Sequence, residues 1–253
     1  INQVSEHMFC TYGNWKTGFE GKWSSIDTNQ LSIVDRQALQ KQMEEASAKS
    51  RAERKQRQDE VAVEMQEKFK ICHEATEHEY LTNKKVKSYG LKQLNGRLIV
   101  PVYNTTGQIR SLQYIDKKGE KRFASASEIK GNVFLIGTTL QNLKNIEKLI
   151  LVEGYSTAAS VYEATQIPVA CVFSANFLLD AASNLRKLTG ARFILALDND
   201  ESGVGEKKAQ ECASAVVNSA VRLPSEVGDY NDLYLKHGLD KVRAELIEHK
   251  LGI

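Results

Sequence analysis

Apolar and polar residues alternate in different ways along this chain, and each change of pattern marks a boundary. Residues 35–79 contain no proline or glycine and are dense in alanine, glutamate, lysine, glutamine and arginine, which are strong helix formers. After residue 80, short apolar runs are separated by turn sequences, a pattern typical of antiparallel strands. From residue 149 onward, apolar strands alternate with helix-like segments, which predicts a parallel sheet with right-handed crossovers. The sequence therefore predicts an α/β protein with a long helix before its sheets.

These changes of pattern divide the 253 residues into five predicted segments. They are a small β/turn element (1–34), a helical segment (35–79), a basic mixed α+β subdomain (80–145), a parallel α/β domain (146–240) and a C-terminal helix (241–253). The middle of the helical segment, Ala48 to Val61, is almost wholly polar, and we expect a solvent-exposed arm there. The chain begins with Ile1 rather than methionine, which fits an excised fragment and leaves an upstream domain open.

Length and composition narrow the class of protein. A chain of this length can bury a sizeable core in one large or two small domains. It holds no secretory signal and no apolar run near the roughly 18–20 residues that a membrane-spanning helix requires. Its four cysteines form no C-x-x-C pair of the kind that a zinc finger needs. We therefore expect buried free thiols and a protein of the reducing cytoplasm, without a membrane partner.

The net charge of +2 hides an uneven distribution of charged residues. Residues 80–130 carry 11 basic and 3 acidic side chains, whereas residues 138–253 carry 12 basic and 15 acidic ones. A basic stretch next to an acidic, metal-like site is typical of proteins that bind and process a polyanion. A solvated basic face without a partner is the alternative explanation of the same pattern.

Three acidic clusters follow predicted strands in the last hundred residues. Their members are Glu153, then Asp198 and Asp200, then Asp229 and Asp232. The carboxyl ends of neighbouring parallel strands line one crevice, so acids at those ends converge. Converging carboxylates repel one another unless a divalent cation lies among them, and oxygen ligands suit Mg²⁺ or Mn²⁺. Taken singly, a strand-ending acid such as Glu153 is more often an ordinary polar residue, and the alternative for Asp200, with Ser202, is that it caps the next helix.

The ordered set of these motifs resembles a known family. Residues from about 147 to 240 look like a Toprim domain, the fold shared by topoisomerases, DnaG-type primases and some nucleases. The resemblance is carried by Leu151 to Tyr155 (LVEGY), Ala196 to Asp200 (ALDND) and Gly228 to Leu233 (GDYNDL). Primases of conjugative plasmids and phages are especially similar, through Glu153 to Ala158 (EGYSTA) and Phe173 to Leu178 (FSANFL), with a slight departure in spacing around the asparagine. The resemblance implies a Rossmann-like parallel sheet that carries a divalent metal ion.

The resemblance extends upstream to about residue 75, and loosely to Tyr12–Trp23. The stretch His78 to Val86 looks like the HPYLxxKGV-type opening of these primases, with Glu79 for the usual proline and Lys85 for the usual glycine. Gly96 to Pro101 (GRLIVP) is similar to the basic strand that opens the primase core. Later basic positions of that core are matched by Gly119 to Phe123 and by Lys130 and Gly131. By implication, this basic part grips template and nucleotide while the Toprim part holds the metal.

Elementary chemistry supports the same division of roles. Phosphoryl transfer depends mostly on positioning and on neutralising phosphate charge. All five acidic residues are predicted to bind Mg²⁺ or Mn²⁺, and Glu153, Asp198 and Asp200 form the predicted catalytic set. The predicted nucleotide and DNA contacts are Arg97, Arg110, Lys121, Arg122 and Lys130, of which Lys121 and Lys130 are preferred for the phosphates of the incoming nucleotide.

Four further side chains are ambiguous. Tyr103, Tyr114 and Phe123 could stack on the bases of a single strand, although each is better explained as a core residue. His78 is expected to be a structural, hydrogen-bonding residue, because nothing in the sequence gives it metal-binding partners.

As a whole, the sequence predicts a DNA primase catalytic core that makes short primers on single-stranded DNA from nucleoside triphosphates, in plasmid or phage replication. A helicase or another replication domain is a further expected partner. Two alternatives remain open: a Toprim-type nuclease, which would use the same acids without needing the basic segment, and a non-catalytic nucleic-acid-binding module. A strand-passing topoisomerase is excluded, because so short a chain has no room for a separate nucleophilic-tyrosine domain.

Overall fold

A computed structural model describes residues 2–4, 7–14, 19–25 and 32–247 of the chain. The chain divides into two compact units, Ile1–Glu60 and Val61–Ile253, and each is described here by itself. None of the described helices combines the length and the apolar character needed to cross a membrane.

The first unit contains a three-stranded antiparallel sheet. Its strands, in sheet order, are β1 (Asn2–Val4), β2 (His7–Asn14) and β3 (Phe19–Ser24). Tyr12 on β2 stands opposite Gly21 on β3, and a Cβ atom on this glycine would lie only 2.6 Å from the tyrosine Cζ. The glycine therefore lets the aromatic ring lie flat across the neighbouring strand.

A single long helix, α1 (Ile33–Lys70), begins in the first unit and ends in the second. The prediction of helix as far as residue 79 is wrong, because the chain leaves the helix after Lys70 to join a sheet. Cys72 and Ala75 are buried, and the N–H of Ala75 donates to the carbonyl of Leu91 at 3.1 Å. Within the helix, Val61, Ala62 and Met65 are buried, so only its last part packs into the core of the second unit.

The second unit opens with a five-stranded antiparallel sheet. Its strands, in sheet order, are β4 (His73–Glu74), β5 (Lys92–Leu94), β6 (Arg97–Tyr103), β7 (Ile109–Ile115) and β8 (Lys121–Phe123). A short helix, α2 (Glu79–Lys84), lies between β4 and β5. Asn95 and Gly96 both have positive φ, 49° and 70°, which fits the two-residue turn that joins β5 to β6. This sheet, called the basic sheet below, carries Lys92, Arg97, Arg110, Lys121 and Arg122 on its strands.

A second five-stranded sheet follows, with the order β13-β12-β10-β11-β9. Its strands are β9 (Phe134–Ile136), β10 (Lys148–Val152), β11 (Val169–Cys171), β12 (Arg192–Leu195) and β13 (Ser219–Val221). Its helices are α3 (Tyr155–Thr165), α4 (Leu178–Arg186), α5 (Val204–Ala215), α6 (Tyr230–His237) and α7 (Leu239–Ile247). The strands β10 to β13 pair in parallel, and β9 pairs antiparallel with β11. The α/β fold class is confirmed.

Two predicted boundaries differ from this arrangement. Strand β9 falls inside the predicted basic segment, yet Phe134 and Ile136 are buried in the core of the parallel sheet. An edge strand there gives β11 a second hydrogen-bonding neighbour, which the sequence pattern alone does not show. Helix α7 starts at Leu239, before the predicted C-terminal helix at 241, and residues 248–253 lie outside the described part of the chain.

The two sheets of the second unit share one hydrophobic cluster. Ile150 and Val152 from β10 and Ala158 from α3 belong to the same cluster as Leu98 and Ile115 of the antiparallel sheet. The alternate residues of β10, Leu149 and Leu151, contribute to a second cluster that includes α4 and α5 residues. Because the cluster is continuous, the basic sheet is held firmly beside the parallel one.

Hydrogen bonds across this junction reinforce it. The hydroxyl of Tyr155 donates to the carbonyl of Lys87 at 2.6 Å, and Nδ2 of Asn231 donates to the carbonyl of Lys84 at 2.9 Å. Both donors are on helices that begin at the carboxyl end of the parallel sheet. The residues after α2 are therefore fixed next to that end.

Candidate active site

The carboxyl end of the parallel sheet brings acidic side chains together. Glu153 directly follows β10, and Asp198 comes shortly after β12. The two strands are neighbours, with Leu151 opposite Leu195, and the N–H of Ala196 still donates to the carbonyl of Leu151 at 2.8 Å. Strand pairing therefore continues almost to the acidic residues and sets their separation.

Glu153 is held by the backbone that follows β11. Its Oε2 accepts a hydrogen bond from the N–H of Ala175 at 2.9 Å. Burial raises the pKa of the Glu153 carboxyl, and the nearby charges of Asp200 and Asp229 raise it further, while the N–H groups of Ala175 and Asp198 act in the opposite direction. One oxygen of Glu153 is thus fixed, which suits a group that orients a reactant.

Asp198 has the most strongly perturbed carboxyl group of the site. Burial, then the charges of Glu153 and Asp229, raise its pKa to about 8, although Lys121 lowers it in part. Its Oδ1 is buried and has no hydrogen-bond partner among the described residues. A buried carboxylate oxygen without a partner is costly, and a bound cation would remove that cost.

Asp200 is exposed and closes a turn. Its Oδ1 accepts hydrogen bonds from the N–H and the hydroxyl of Ser202, and the N-cap of α5 is Gly203. The alternative explanation of Asp200 as the helix N-cap is therefore wrong. A Cβ atom on Gly205 would lie 2.3 Å from the carbonyl oxygen of Asp198, so the missing side chain lets α5 approach the acidic residues closely.

The third acidic cluster does not stand at a strand end, and that prediction is corrected. Strand β13 ends at Val221, and Asp229 is instead the N-cap of α6. Its Oδ1 accepts from the N–H groups of Asn231 (2.6 Å) and Asp232 (2.9 Å), while Oδ2 of Asp232 accepts from the N–H of Asp229 at 3.2 Å. This reciprocal pair is a capping box. Oδ1 of Asp232 also lies 3.6 Å from Nζ of Lys84, so both of its oxygens are engaged.

These residues fit a divalent cation, although they do not form a closed protein cage. In the described ranges, no group of three His, Cys, Asp or Glu side chains is arranged so as to hold a metal ion. The orphaned oxygen of Asp198, and the mutual repulsion of Glu153, Asp198 and Asp229, nevertheless match a cation that keeps several waters and takes few carboxylates plus substrate phosphates. Asp232 fits this role less well because its oxygens are already used.

Lys121 is the basic residue that reaches the acidic end. It stands on β8, and its Nζ lies 3.5 Å from the position that a Cβ atom on Gly154 would occupy. Burial lowers the pKa of its ammonium, but interactions with Tyr80, Cys171 and Asp229 outweigh this and leave the pKa raised. The ammonium is therefore charged, and it lies close to the acidic residues while the residue as a whole keeps contact with solvent.

The other basic residues that were predicted to contact nucleotide or DNA differ in how exposed they are. Arg97, Arg122 and Lys130 are exposed; Arg122 lies 3.3 Å from Glu120, and Lys130 lies 3.2 Å from Asp180. Arg110 is only 7% exposed, and its Nε is 2.7 Å from Oε2 of Glu128. The Arg110 guanidinium already pairs with Glu128 and is nearly inaccessible, so Arg110 is not part of the proposed interface.

Two of the three candidate stacking residues lie mainly in the core. The hydroxyl of Tyr114 donates to Sδ of Met65 at 3.5 Å, and Tyr103 is half-buried against two hydrophobic clusters. Phe123 packs edge-to-face on Phe173, with ring centroids 5.6 Å apart. Phe173 follows β11 with a positive φ of 69°, so this aromatic pair connects β8 to the acidic end of the parallel sheet.

His78 is structural, as expected. Its Nδ1 accepts from the N–H of Tyr80 at 3.2 Å as the N-cap of α2, and its Nε2 lies 3.2 Å from the carbonyl oxygen of Gly96. The two departures from the primase-like motif also have a local meaning. Glu79 occupies the first helical position, where proline is favoured, and Lys85 has a left-handed φ of 52°, where glycine is favoured.

Sequence reasoning missed Asn199, the middle residue of the Asp-Asn-Asp motif. Its Nδ2 donates to the carbonyls of Pro224 (3.0 Å) and Glu226 (3.3 Å), and its backbone pairs with Gly228. Gly205 was also missed, although two glycines closely follow the acidic motif at Gly203 and Gly205. Their spacing was the available signal, whereas nothing in the sequence linked Asn199 to the later loop.

Comparisons with known proteins agree with this fold. Residues 148–240 match the sequence family described as the Toprim domain. The chain is 30% identical over 236 residues to DNA primase TraC of Escherichia coli, an alignment that covers 87% of this chain and 22% of that protein. Another DNA primase TraC of Escherichia coli is 32% identical over 130 residues, with coverage of 48% and 9%. The chain thus spans about a fifth or less of the length of these curated relatives.

Solved structures show the same fold. The primase fragment of the bacteriophage T7 primase-helicase protein aligns with a TM-score of 0.52 and 19% identity, covering 70% of this chain and 80% of that one. A chain from the bacteriophage T7 lagging-strand DNA polymerase in complex with primase domains, an RNA/DNA hybrid and dTTP aligns with a TM-score of 0.51 and 20% identity, covering 66% and 89%. The predicted resemblance to Toprim primases is confirmed.

Proposed function

We propose that this chain is a DNA primase catalytic core, which joins nucleoside triphosphates into short primers on single-stranded DNA. The observation that carries the proposal is the meeting of Lys121 with the acidic group around Asp198, since it brings a cationic side chain next to the proposed metal ligands. Similarity to DNA primase TraC over 87% of the chain supports the same function. Plasmid or phage replication in the cytoplasm is the proposed setting.

The proposed metal ligands are Glu153, Asp198 and Asp229, with Asp200 beside them. A Mg²⁺ or Mn²⁺ ion bound there would neutralise the phosphate charge of the substrate during nucleotidyl transfer. The N–H of Ala175 fixes one oxygen of Glu153, so the Glu153 carboxylate would keep one orientation beside the ion. Asp232 would act indirectly, through the capping box that orients Asp229.

The basic sheet supplies the proposed contacts to nucleotide and template. Lys121 would hold a phosphate of the incoming nucleotide, because its charged ammonium lies close to Gly154 and Asp229. Arg97, Arg122 and Lys130 are exposed on the same segment and would contact the template backbone. We also propose that a helicase or another replication domain works with this core, as the name of the T7 primase-helicase protein describes for that protein.

Primer synthesis is the direct test. The purified chain is incubated with single-stranded DNA, labelled triphosphates and either Mg²⁺ or Mn²⁺, and short templated products are expected. These products should vanish in Asp198→Asn, while the matched variant Asp240→Asn, which changes an exposed acid in the first turn of α7, should keep them. Degraded template without new strands would favour the nuclease instead, and binding without either product would favour a non-catalytic module.

DNA binding by the basic segment has a separate test. Affinity for single-stranded DNA should fall with salt, with a log–log slope of about −0.7 per neutralised phosphate. A charge reversal at both Lys121 and Arg122 should weaken binding, whereas Lys207→Glu on α5 is a control on another element. Affinity that responds neither to salt nor to these substitutions would locate the DNA groove elsewhere.

A further inference from the structure

The loop between β13 and α6 reaches the acidic end through bonds to one residue. Asn199 makes four hydrogen bonds to this loop: its N–H donates to the carbonyl of Gly228 (3.0 Å), its own carbonyl accepts from the N–H of Gly228 (2.8 Å), and Nδ2 donates to the carbonyls of Pro224 (3.0 Å) and Glu226 (3.3 Å). The two hydrogens of the amide are thus matched to two loop carbonyls. These four hydrogen bonds fix the loop beside the end of β12.

The sequence positions of the bonded residues, Asn199 and Gly228, matter for the site. Asn199 lies between Asp198 and Asp200, and Gly228 directly precedes Asp229. The bonds therefore join the second acidic cluster to the third, although the two are far apart in the chain. Asp229 is close enough to act on the charge equilibria of both Asp198 and Glu153.

The outer side of the same loop is held by a different set of contacts. Ser225 hydrogen-bonds Glu245 of α7, and Glu226 lies 3.1 Å from Nζ of Lys236 and 2.7 Å from Nε2 of His237 in α6. These contacts fasten the loop to α6 and α7, and not to the strand end that carries Asp198.

We propose that Asn199 is a positioning residue that sets the place of the Asp229 carboxylate relative to Asp198 and Glu153, and thereby the affinity of the site for a divalent cation. The inference rests on the proposed function in taking these acids as the metal site. Replacing the amide by a methyl group leaves the carbonyls of Pro224 and Glu226 without their donor, and the loop can then move away from β12. The backbone pairing with Gly228 would remain, together with the hydrogen bond from the N–H of Arg222, at the start of the loop, to the carbonyl of Leu195 (3.0 Å).

Metal binding tests the proposal without any need for catalysis. The Kd of the whole chain for Mn²⁺ is measured by calorimetry, and Asn199→Ala is expected to raise it roughly tenfold, the loss that corresponds to about 1.4 kcal/mol. Asn199→Ser keeps one hydroxyl donor and should raise it less. The matched control Glu226→Gln disturbs the outer contacts but keeps the carbonyl that Asn199 binds, and it should change the Kd less than twofold.

A double-mutant cycle shows whether Asn199 acts through Asp229. Asp229→Asn should weaken Mn²⁺ binding while still capping α6, because asparagine caps helices as well as aspartate does. In that background Asn199→Ala is expected to add no further loss. Losses that multiply, or an Asn199→Ala variant that binds Mn²⁺ like the unaltered chain, would overturn the proposal. Thermal melts without metal identify a variant that is simply unfolded, in which case Asn199→Ser decides.

The outcomes also separate this inference from the proposed function. If the unaltered chain binds Mn²⁺ with the expected dependence on Asn199 but makes no primers, the primase function fails and the positioning role stands. If the unaltered chain binds no Mn²⁺, the positioning role is wrong.

Discussion

The acids at the strand ends and those at the start of α6 have the same chemistry but different surroundings. Around Asp198 the fold leaves a buried carboxylate oxygen without a partner and raises its pKa to about 8. Around Asp229 and Asp232 the first turn of α6 supplies N–H donors, and Lys84 lies close to Asp232. A helix start satisfies carboxylates with its own orphan donors, whereas a strand end provides few. Asp198 is consequently the acid whose buried oxygen needs a ligand.

The largest effect should come from the unpartnered acid. Asp198→Asn is expected to lower primer synthesis by roughly 10²–10³-fold, because the charge that would hold the cation is removed. Labelled product on single-stranded DNA measures the loss, with Asp240→Asn as the control. Unimpaired synthesis would contradict the proposed difference between the acids at strand ends and those at the start of α6, since Asp198 would then be no more important than a surface acid.

The two acids of α6 should differ from one another. Asp229→Asn is expected to lower synthesis about tenfold or more with little loss of stability, because asparagine preserves the cap. Asp232→Asn is expected to leave synthesis within about threefold and to cost about 1 kcal/mol of unfolding free energy, through the capping box and Lys84. Kinetics and urea unfolding of both variants provide the check. The opposite ranking of the two activities would show that Asp232, rather than Asp229, serves the site.

The raised pKa of Asp198 predicts how stability depends on pH in metal-free protein. An unfolded aspartate titrates near 3.9, so folding raises this pKa and disfavours the charged form. Its destabilising effect is absent below about pH 4, grows as pH rises, and is complete above about pH 8. Asp198→Asn should therefore stabilise the protein at pH 8.5, by about 1–2 kcal/mol because solvent screens a side chain that is only partly buried, and by almost nothing at pH 4. Thermal melts with a chelator measure this; a gain that is equal at both pH values would argue against a buried charge.

The smallest expected difference is between two neighbouring cations of β8. Lys121→Ala should raise the KM for nucleoside triphosphates about fivefold, because its ammonium lies next to Gly154, the residue after Glu153. Fivefold corresponds to about 1 kcal/mol of lost binding free energy. Arg122→Ala should change that KM less than twofold, since Arg122 is exposed and lies beside Glu120. Steady-state kinetics of the two variants sharpen the comparison. Equal effects would mean that general positive charge, not the placement of Lys121, is what counts.

The sequence predicted the fold, and it located the strand ends that carry the proposed site acids, because both depend on local patterns. Apolar runs located β10 and β12, and the end of each run located Glu153 and Asp198. It could not separate Arg110 from Arg122, because the burial of Arg110 depends on Glu128, which lies in a later loop. It could not show that Asp232 is engaged, because Lys84 is distant in the chain. Pairings between remote residues leave no periodic signal, and the hydrogen bonds from Asn199 to the later loop escaped prediction for the same reason.

The continuous cluster beneath both sheets has a consequence for how this protein can be divided. A fragment cut to the Toprim match, residues 148–240, would lose β9 and expose the free edge of β11. It would also uncover Ile150 and Val152, which share their cluster with Leu98 and Ile115. An open strand edge beside bare apolar surface is a template for aggregation. The smallest piece of this chain that folds alone is therefore expected to keep the basic sheet together with the parallel one.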